Sequence, residues 1–321
     1  MMIFLSACTG RTGEIVREKA LELAGFVGLG EWLKAPVKVS LTEGGTIAIC
    51  DEGIYFFQYD LQTPQGSAEP NVVLSSFVLP NTVDKAVFIT HGWIDKAEKD
   101  WPENMAGAIR KKTDPNEWVC GFFGWSGGSG VMTSIQAVQY ARDIGGPRLA
   151  AAILKLPVSL RHIHLIGHSA GSWVIDSAAK WIVKEHPETS VHLTFLDAYI
   201  PQHWDPNQLG DVHSAGGVWA EHYYTRDITY AVTQNDLIHA YNVDITAIDP
   251  LVAEHEFPYR WYLATITGGY SRWDEKGQDV FNAFGGIAYG FARSLEAGRE
   301  NWTKSKTLPA GNAALKLEKK K

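Results

Sequence analysis

The stretch His164–Trp173, HLIGHSAGSW, decides how the chain is read. Apolar IHLI runs into Gly167, a serine stands among small residues, and the helix-forming SWVIDSAAKWIVKEH begins directly after Gly171. Gly167-His168-Ser169-Ala170-Gly171 is a G-x-S-x-G pattern, the signature of a nucleophile elbow. There a sharp strand-to-helix turn lifts a serine hydroxyl above a sheet, and the helix amino terminus favours negative charge. The pattern alone is not enough, because Gly124-Trp125-Ser126-Gly127-Gly128 in GFFGWSGGSG matches it too. Context separates the two. Ser169 follows a buried-type strand and precedes a helix at once, whereas Ser126 enters a glycine-rich segment read as a flexible loop.

Outward from the elbow, short continuous apolar runs alternate with helical patterns. KAVFITHGW, EWVCGFFGW, RHIHLIGHS and VHLTFLD read as buried strands, and WPENMAGAIRKK, SIQAVQYARDIGGPRLAAAILKL and GSWVIDSAAKWIVKEH as helices. Such alternation predicts an α/β fold, a mostly parallel central sheet with helices on both faces, whose working residues sit at the carboxyl ends of the strands. Upstream, TIAICDEGIYFFQYDLQ and VVLSSFVLP predict early edge strands, and residues 13–34 one or two short helices. The expected division is a disordered or truncated signal start at 1–12, one domain over 13–310, and a charged, solvated tail at 311–321.

A chain of 321 residues with 45% hydrophobic and 20% charged residues has ordinary globular composition. A net charge of −7 gives no basic field and argues against nucleic acid as a partner. Three cysteines without metal-ligand spacing support neither a zinc site nor a disulfide scaffold. No apolar run is long enough for a transmembrane helix. Leu5-Ser6-Ala7-Cys8 matches a lipobox, which makes Cys8 a candidate lipid anchor. The chain is expected to be a membrane-anchored extracytoplasmic lipoprotein if that start is real, and soluble otherwise.

A serine needs a histidine to take its proton and an acid to orient that histidine, here in the chain order serine, acid, histidine. Asp197 ends the strand-like VHLTFLD. Asp205, Asp211, Asp227 and Asp244 compete but do not terminate a buried strand as clearly. His255 in AEHEFPYRWYLATI follows the last strand-like run, with His203, His213, His222 and His239 as substitutes. The oxyanion amides are expected at Ala170, after the nucleophile, and at Trp93 in FITHGW, where Gly92 allows a close turn.

Taken together, these segments resemble the pancreatic-lipase-type family of α/β-hydrolases over roughly Tyr55 to Ile266. VFITHGWIDKAEKDWPENMAGAIRKK is similar to the family's strand, oxyanion loop and helix. EWVCGFFGWSGGSGVMTSIQAVQYARDIG resembles its next strand and loop, RHIHLIGHSAGSWVIDSAAK its elbow, and LTFLDAY the strand bearing its acid. The resemblance implies Ser169 as nucleophile, Asp197 as acid, His255 as base, and Trp93 and Ala170 as oxyanion donors. The family's animal members have a disulfide-closed lid and a second, lipid-binding β-sandwich. This chain has too few cysteines for that lid, and after Ile266 about fifty residues remain, of which FNAFGGIAYGFARSLEA reads as a helix. The expectation is a bacterial-type member without the lipid-binding domain. It would be a serine carboxylic-ester hydrolase for short- to medium-chain acyl esters, needing no metal or organic cofactor. A lidded triacylglycerol lipase, a phospholipase, a peptidase and a non-catalytic lipid- or protein-binding member are the alternatives. His168, Trp204 and Trp219 are expected to line the substrate pocket, and residues 199–224 to cover it.

Overall fold

The structure, a computed structural model, describes residues 36–51, 71–93, 100–129, 133–226, 231–246, 255–267, 270–274, 277–284, 291 and 316–319. The helices expected over 13–34, the Cys8 anchor site, Asp227 and most of the stretch 285–300 lie outside them.

Nine strands form one sheet in the order β3-β1-β2-β5-β4-β6-β7-β8-β9. They are β1 (Val37–Leu41), β2 (Ile47–Asp51), β3 (Val72–Leu74), β4 (Lys85–Thr90), β5 (Trp118–Gly124), β6 (His162–His168), β7 (Ser190–Leu196), β8 (Val218–Tyr224) and β9 (Tyr241–Asp244). Among the described residues of this sheet only the β1–β2 pair is antiparallel; β1–β3 and, from β2 to β9, every neighbouring pair are parallel. The continuous apolar runs are thereby explained, since central strands have two faces to bury. Alternate residues go to opposite sides. Ala86 and Phe88 join one core, whereas Val87 and Ile89 join the other.

Helices cover both faces. On the first lie α2 (Ser134–Tyr140), α3 (Gly146–Leu154) and α4 (Gly171–Glu185), which contribute Val138, Tyr140, Leu149, Ile153, Trp173, Val174 and Ile175 to its core. On the second lie α1 (Trp101–Arg110) and α5 (Phe257–Thr267), with Trp101, Met105, Ile109, Tyr259 and Trp261 buried. Between α2 and α3 a π-helical turn, Ala141–Gly145, breaks what the apolar spacing reads as one helix. Arg148 of α3, buried, pairs with the buried Asp51 of β2 at 2.8 Å, and the Tyr140 hydroxyl also donates to Asp51. This ties the helical layer to the antiparallel edge.

Chain order and spatial order together locate the crevice. After β4 the chain passes to β5 on one side of it, then returns to β6 on the other. The carboxyl ends of β4 and β6 thus flank a topological switch point, where parallel sheets leave a cleft.

Three readings are corrected. The segment after Ser126 begins as a one-turn helix, Ser126–Ser129, because buried Trp125 accepts the Ser129 amide at 2.8 Å and anchors it. FNAF of the expected C-terminal helix belongs instead to a strand, β11 (Gly277–Phe284), paired with β10 (Tyr270–Asp274) in a hairpin. Short apolar runs have no periodicity that separates strand from helix. In the tail read as solvated, β12 (Lys316–Lys319) pairs antiparallel with β11, completing a separate three-stranded sheet.

Candidate active site

Ser169 follows β6 directly and holds φ at 54°, the left-handed region that costs a residue with a Cβ about 1–2 kcal/mol. Local packing enforces this. A Cβ on Gly167 would meet the Gly171 carbonyl oxygen at 2.5 Å, and one on Gly171 would collide with the His91 carbonyl oxygen. Both glycines are thus required by close approach, one between strand and helix, the other between helix and the β4 loop. The Ser169 amide donates to the Leu196 carbonyl at 3.0 Å, continuing the sheet ladder, and its carbonyl accepts from Ser172 at 3.1 Å to start α4.

The β4 loop crosses directly over this turn. A Cβ on Gly92 would stand 2.7 Å from the Ser169 Cβ. His91 and Trp125 lock the loop reciprocally. The Trp125 amide donates to His91 Nε2 at 3.2 Å, the Trp125 indole N–H donates to the His91 carbonyl at 3.0 Å, and the rings stack at 5.5 Å. With Nε2 accepting, His91 Nδ1 carries the proton and donates to the Gly92 carbonyl at 2.9 Å. The second G-x-S-x-G segment therefore contributes its tryptophan, at the end of β5, as a brace for this loop.

Asp197 follows β7, also with positive φ, 49°. Its amide donates to the Tyr223 carbonyl at 2.8 Å. One carboxylate oxygen accepts the Thr225 amide at 3.0 Å and the other lies 2.6 Å from His255 Nδ1. Burial raises the Asp197 carboxyl above its ordinary range, and the His255 and Thr225 hydrogen bonds oppose that rise. His222, fully buried and held near pKa 4 by desolvation, accepts the Ala198 amide at 3.2 Å and steadies the turn behind Asp197. His255 is about one-third exposed, so water and substrate can reach it.

Asp205, Asp211, Asp244, His213 and His222 are used elsewhere. Asp205 caps the turn Pro206–Gln208, Asp211 faces exposed His213, Asp244 pairs with Arg226, and His222 holds the Ala198 turn.

The expected pocket residues divide. Trp204 packs edge-on at 4.9 Å against Trp173, which stands in the first turn of α4, and lies beneath the Arg142 guanidinium. Trp219 is corrected. It sits four residues before Tyr223 near the start of β8, about 13 Å from the carboxyl edge, and its indole N–H donates inward to Glu221. Its nearness in the chain to Asp197 carries no information about strand register. His168 is corrected as well, because it is 4% exposed and closed in by Trp101, Tyr259 and His255. Ser169 and the Gly92 backbone come together, as do Asp197 and His255; Ala170 and Trp93 adjoin the first pair in the chain.

Among the described residues one set could hold a metal. His164, His192 and Glu221 are fully buried, with candidate ligand atoms within 4.8 Å of one another. The Thr194 hydroxyl occupies the space between them, 2.7 Å from His164 Nε2, 2.8 Å from Glu221 Oε1 and 3.4 Å from His192 Nε2. The two imidazoles are parallel within 1° at 3.8 Å, so no ion could lie in both ring planes. The arrangement is a hydrogen-bonded core network, to which Tyr223 adds a 3.1 Å bond on Glu221.

Residues 65–204 match the Lipase family model. The chain is 32% identical over 124 residues to pancreatic lipase-related protein 2 of Homo sapiens, covering 38% of this chain and 25% of that protein. It is 33% identical over 132 residues to pancreatic triacylglycerol lipase of Myocastor coypus (39% and 28%), and 36% identical over 125 residues to that of Mus musculus (38% and 25%). The matched segment thus spans about a quarter of these relatives' length. Among the described residues no helix is long and apolar enough to cross a membrane.

Proposed function

We propose that this chain, whose residues 65–204 match the Lipase family model, is a pancreatic-lipase-like serine carboxylic-ester hydrolase acting on short- to medium-chain acyl esters. Ser169 is the nucleophile, His255 the base and Asp197 the acid. The observation that carries the reading is the 2.6 Å contact of His255 Nδ1 with a buried Asp197, reached from the strand next to a serine held at positive φ.

With Nδ1–H donating to Asp197, His255 Nε2 keeps its lone pair. The Ser169 hydroxyl gives its proton to that lone pair as its oxygen bonds to the ester carbonyl carbon. The carbonyl electron pair moves onto oxygen, where the Ala170 and Trp93 amides and the amino terminus of α4 receive the charge. Collapse expels the alcohol, which takes the proton from His255, and leaves an acyl-serine. Water, deprotonated by the same nitrogen, then releases the acid.

The test is Ser169→Ala together with labelling by a fluorophosphonate probe. The variant is expected to lose nearly all hydrolysis of a chromogenic ester and all labelling while unfolding at the wild-type temperature. Wild-type turnover by the variant overturns the assignment. A second reading, a lipase for triacylglycerol, is favoured by the names of the relatives. Rates on esters of increasing acyl length, in solution and as emulsions, separate the two, since only the second predicts a jump at an interface.

A further inference from the structure

His168 precedes Ser169, yet its side chain turns away from the surface into the second core. Its Nε2 lies 2.8 Å from the backbone carbonyl of His255, so it carries the proton and donates. Nδ1, with the remaining lone pair, is buried and has no hydrogen-bond partner. Adding a proton there would bury an unsatisfied donor beside His255, and desolvation together with the neighbouring His255 keeps the ring neutral.

The ring cannot easily swing. Trp101 of α1 meets it edge-on at 6.0 Å and Tyr259 of α5 at 5.0 Å, while Trp101 and Tyr259 stack on each other at 4.4 Å. The His255 imidazole leans on it at 4.5 Å. Asp197 holds the His255 ring through Nδ1, and His168 holds its main chain. Both points are needed to fix the orientation of the imidazole, because a ring tethered only through Nδ1 pivots about that tether.

We infer that His168 is a positioning residue for His255, tying the backbone of the base to the residue next to the nucleophile. The inference rests on the triad proposed above. A buried core histidine without this task would affect stability only, so kinetics separates the two roles.

The experiment compares His168→Leu, which removes the donor and keeps apolar bulk, with His168→Gln, whose amide nitrogen can replace Nε2. On the full chain, His168→Leu is expected to lower kcat for a chromogenic ester about 10- to 100-fold with KM changed less than about threefold. Fluorophosphonate labelling should slow in proportion, and the glutamine should restore kcat to within about threefold of wild type. Where the leucine variant does not fold, His168→Asn carries the same expectation, since its shorter amide stops short of the carbonyl. Wild-type kcat in His168→Leu or His168→Asn overturns the inference, as does a glutamine variant no better than the leucine. In either case labelled wild type leaves the triad standing. Unlabelled and inactive wild type overturns the triad and the inference with it.

Discussion

Gly92 lies against Ser169 so closely that a Cβ added to the glycine would stand 2.7 Å from the Cβ of the serine. The same atom would approach the His168 carbonyl oxygen at 3.1 Å, and backbone on a parallel strand has no room to yield. Gly92→Ala is therefore expected to lift the loop and carry the Trp93 amide away from the oxyanion it is proposed to receive. The expected cost is about 10²- to 10³-fold in kcat, the loss of one such donor. Steady-state kinetics on a soluble ester checks it, and an alanine variant with wild-type kcat removes Trp93 from the mechanism.

Asp197→Asn is expected to separate activity from stability. An asparagine amide can donate to His255 Nδ1, which moves the imidazole proton to Nε2 and leaves no base for the serine. The expected loss is about 10⁴-fold in kcat. Burial already raises the Asp197 carboxyl, so the fold disfavours its charge, and a neutral isostere should unfold at the same temperature or higher. Calorimetry beside kinetics decides. A large loss of stability would mean that the carboxylate is a structural keystone.

Much of this site is legible in the sequence, and the reason is physical. Continuous apolar runs of strand length, set between helical patterns, read as central parallel strands, and their ends carry Gly92, Ser169 and Asp197 to one edge of the sheet. What stays hidden depends on register and on the direction of side chains. His162, His164 and His168 fall on one face of β6, as polar surface residues would, yet all three are buried under α1 or α5 or beside β7. Trp219 looks close to the acid in the chain, but parallel pairing places it at the far end of β8. No local pattern announces that Trp125 braces His91, because the two strands that meet there lie 34 residues apart.

Ser169 itself should cost stability. Its φ of 54° strains any residue with a Cβ, and glycine alone relieves it. In urea denaturation Ser169→Gly should be about 1 kcal/mol more stable than Ser169→Ala, although both variants lack the hydroxyl. Equal stabilities would show that the elbow is unstrained. A glycine variant less stable than the alanine would mean that unfolded-chain entropy outweighs the strain.

The ion pair Arg148–Asp51 joins two side chains no more than 4% exposed. Asp51→Ala leaves the guanidinium buried without its carboxylate and removes the acceptor of the Tyr140 hydroxyl. The expected destabilisation is about 3–5 kcal/mol, larger than for either charge on a surface. Urea denaturation of Asp51→Ala measures it, and a cost below about 1 kcal/mol would place water around Arg148.

Acid should unfold the protein through its histidines. His162, His164, His168 and His222 are buried, and desolvation lowers all four, His222 to about 4. A group with a lowered folded pKa supplies stability that is present above the unfolded value near 6.5 and lost as pH falls toward the folded one. Asp176, raised to about 6 by burial, and Asp197, raised by the same cause, act in the opposite sense, since the folded state holds their protons more tightly. Four lowered histidines outnumber two raised carboxyls, so near pH 5 the unfolded chain should bind more protons than the native one, and stability should fall as pH falls. His222→Gln, whose amide oxygen can accept the Ala198 amide, removes one titrating group and should make that slope shallower by about 1 kcal/mol per pH unit. Urea midpoints from pH 7 to pH 5 give both slopes. Equal slopes would mean that His222 is charged in the native state, with the Ala198 amide finding another acceptor.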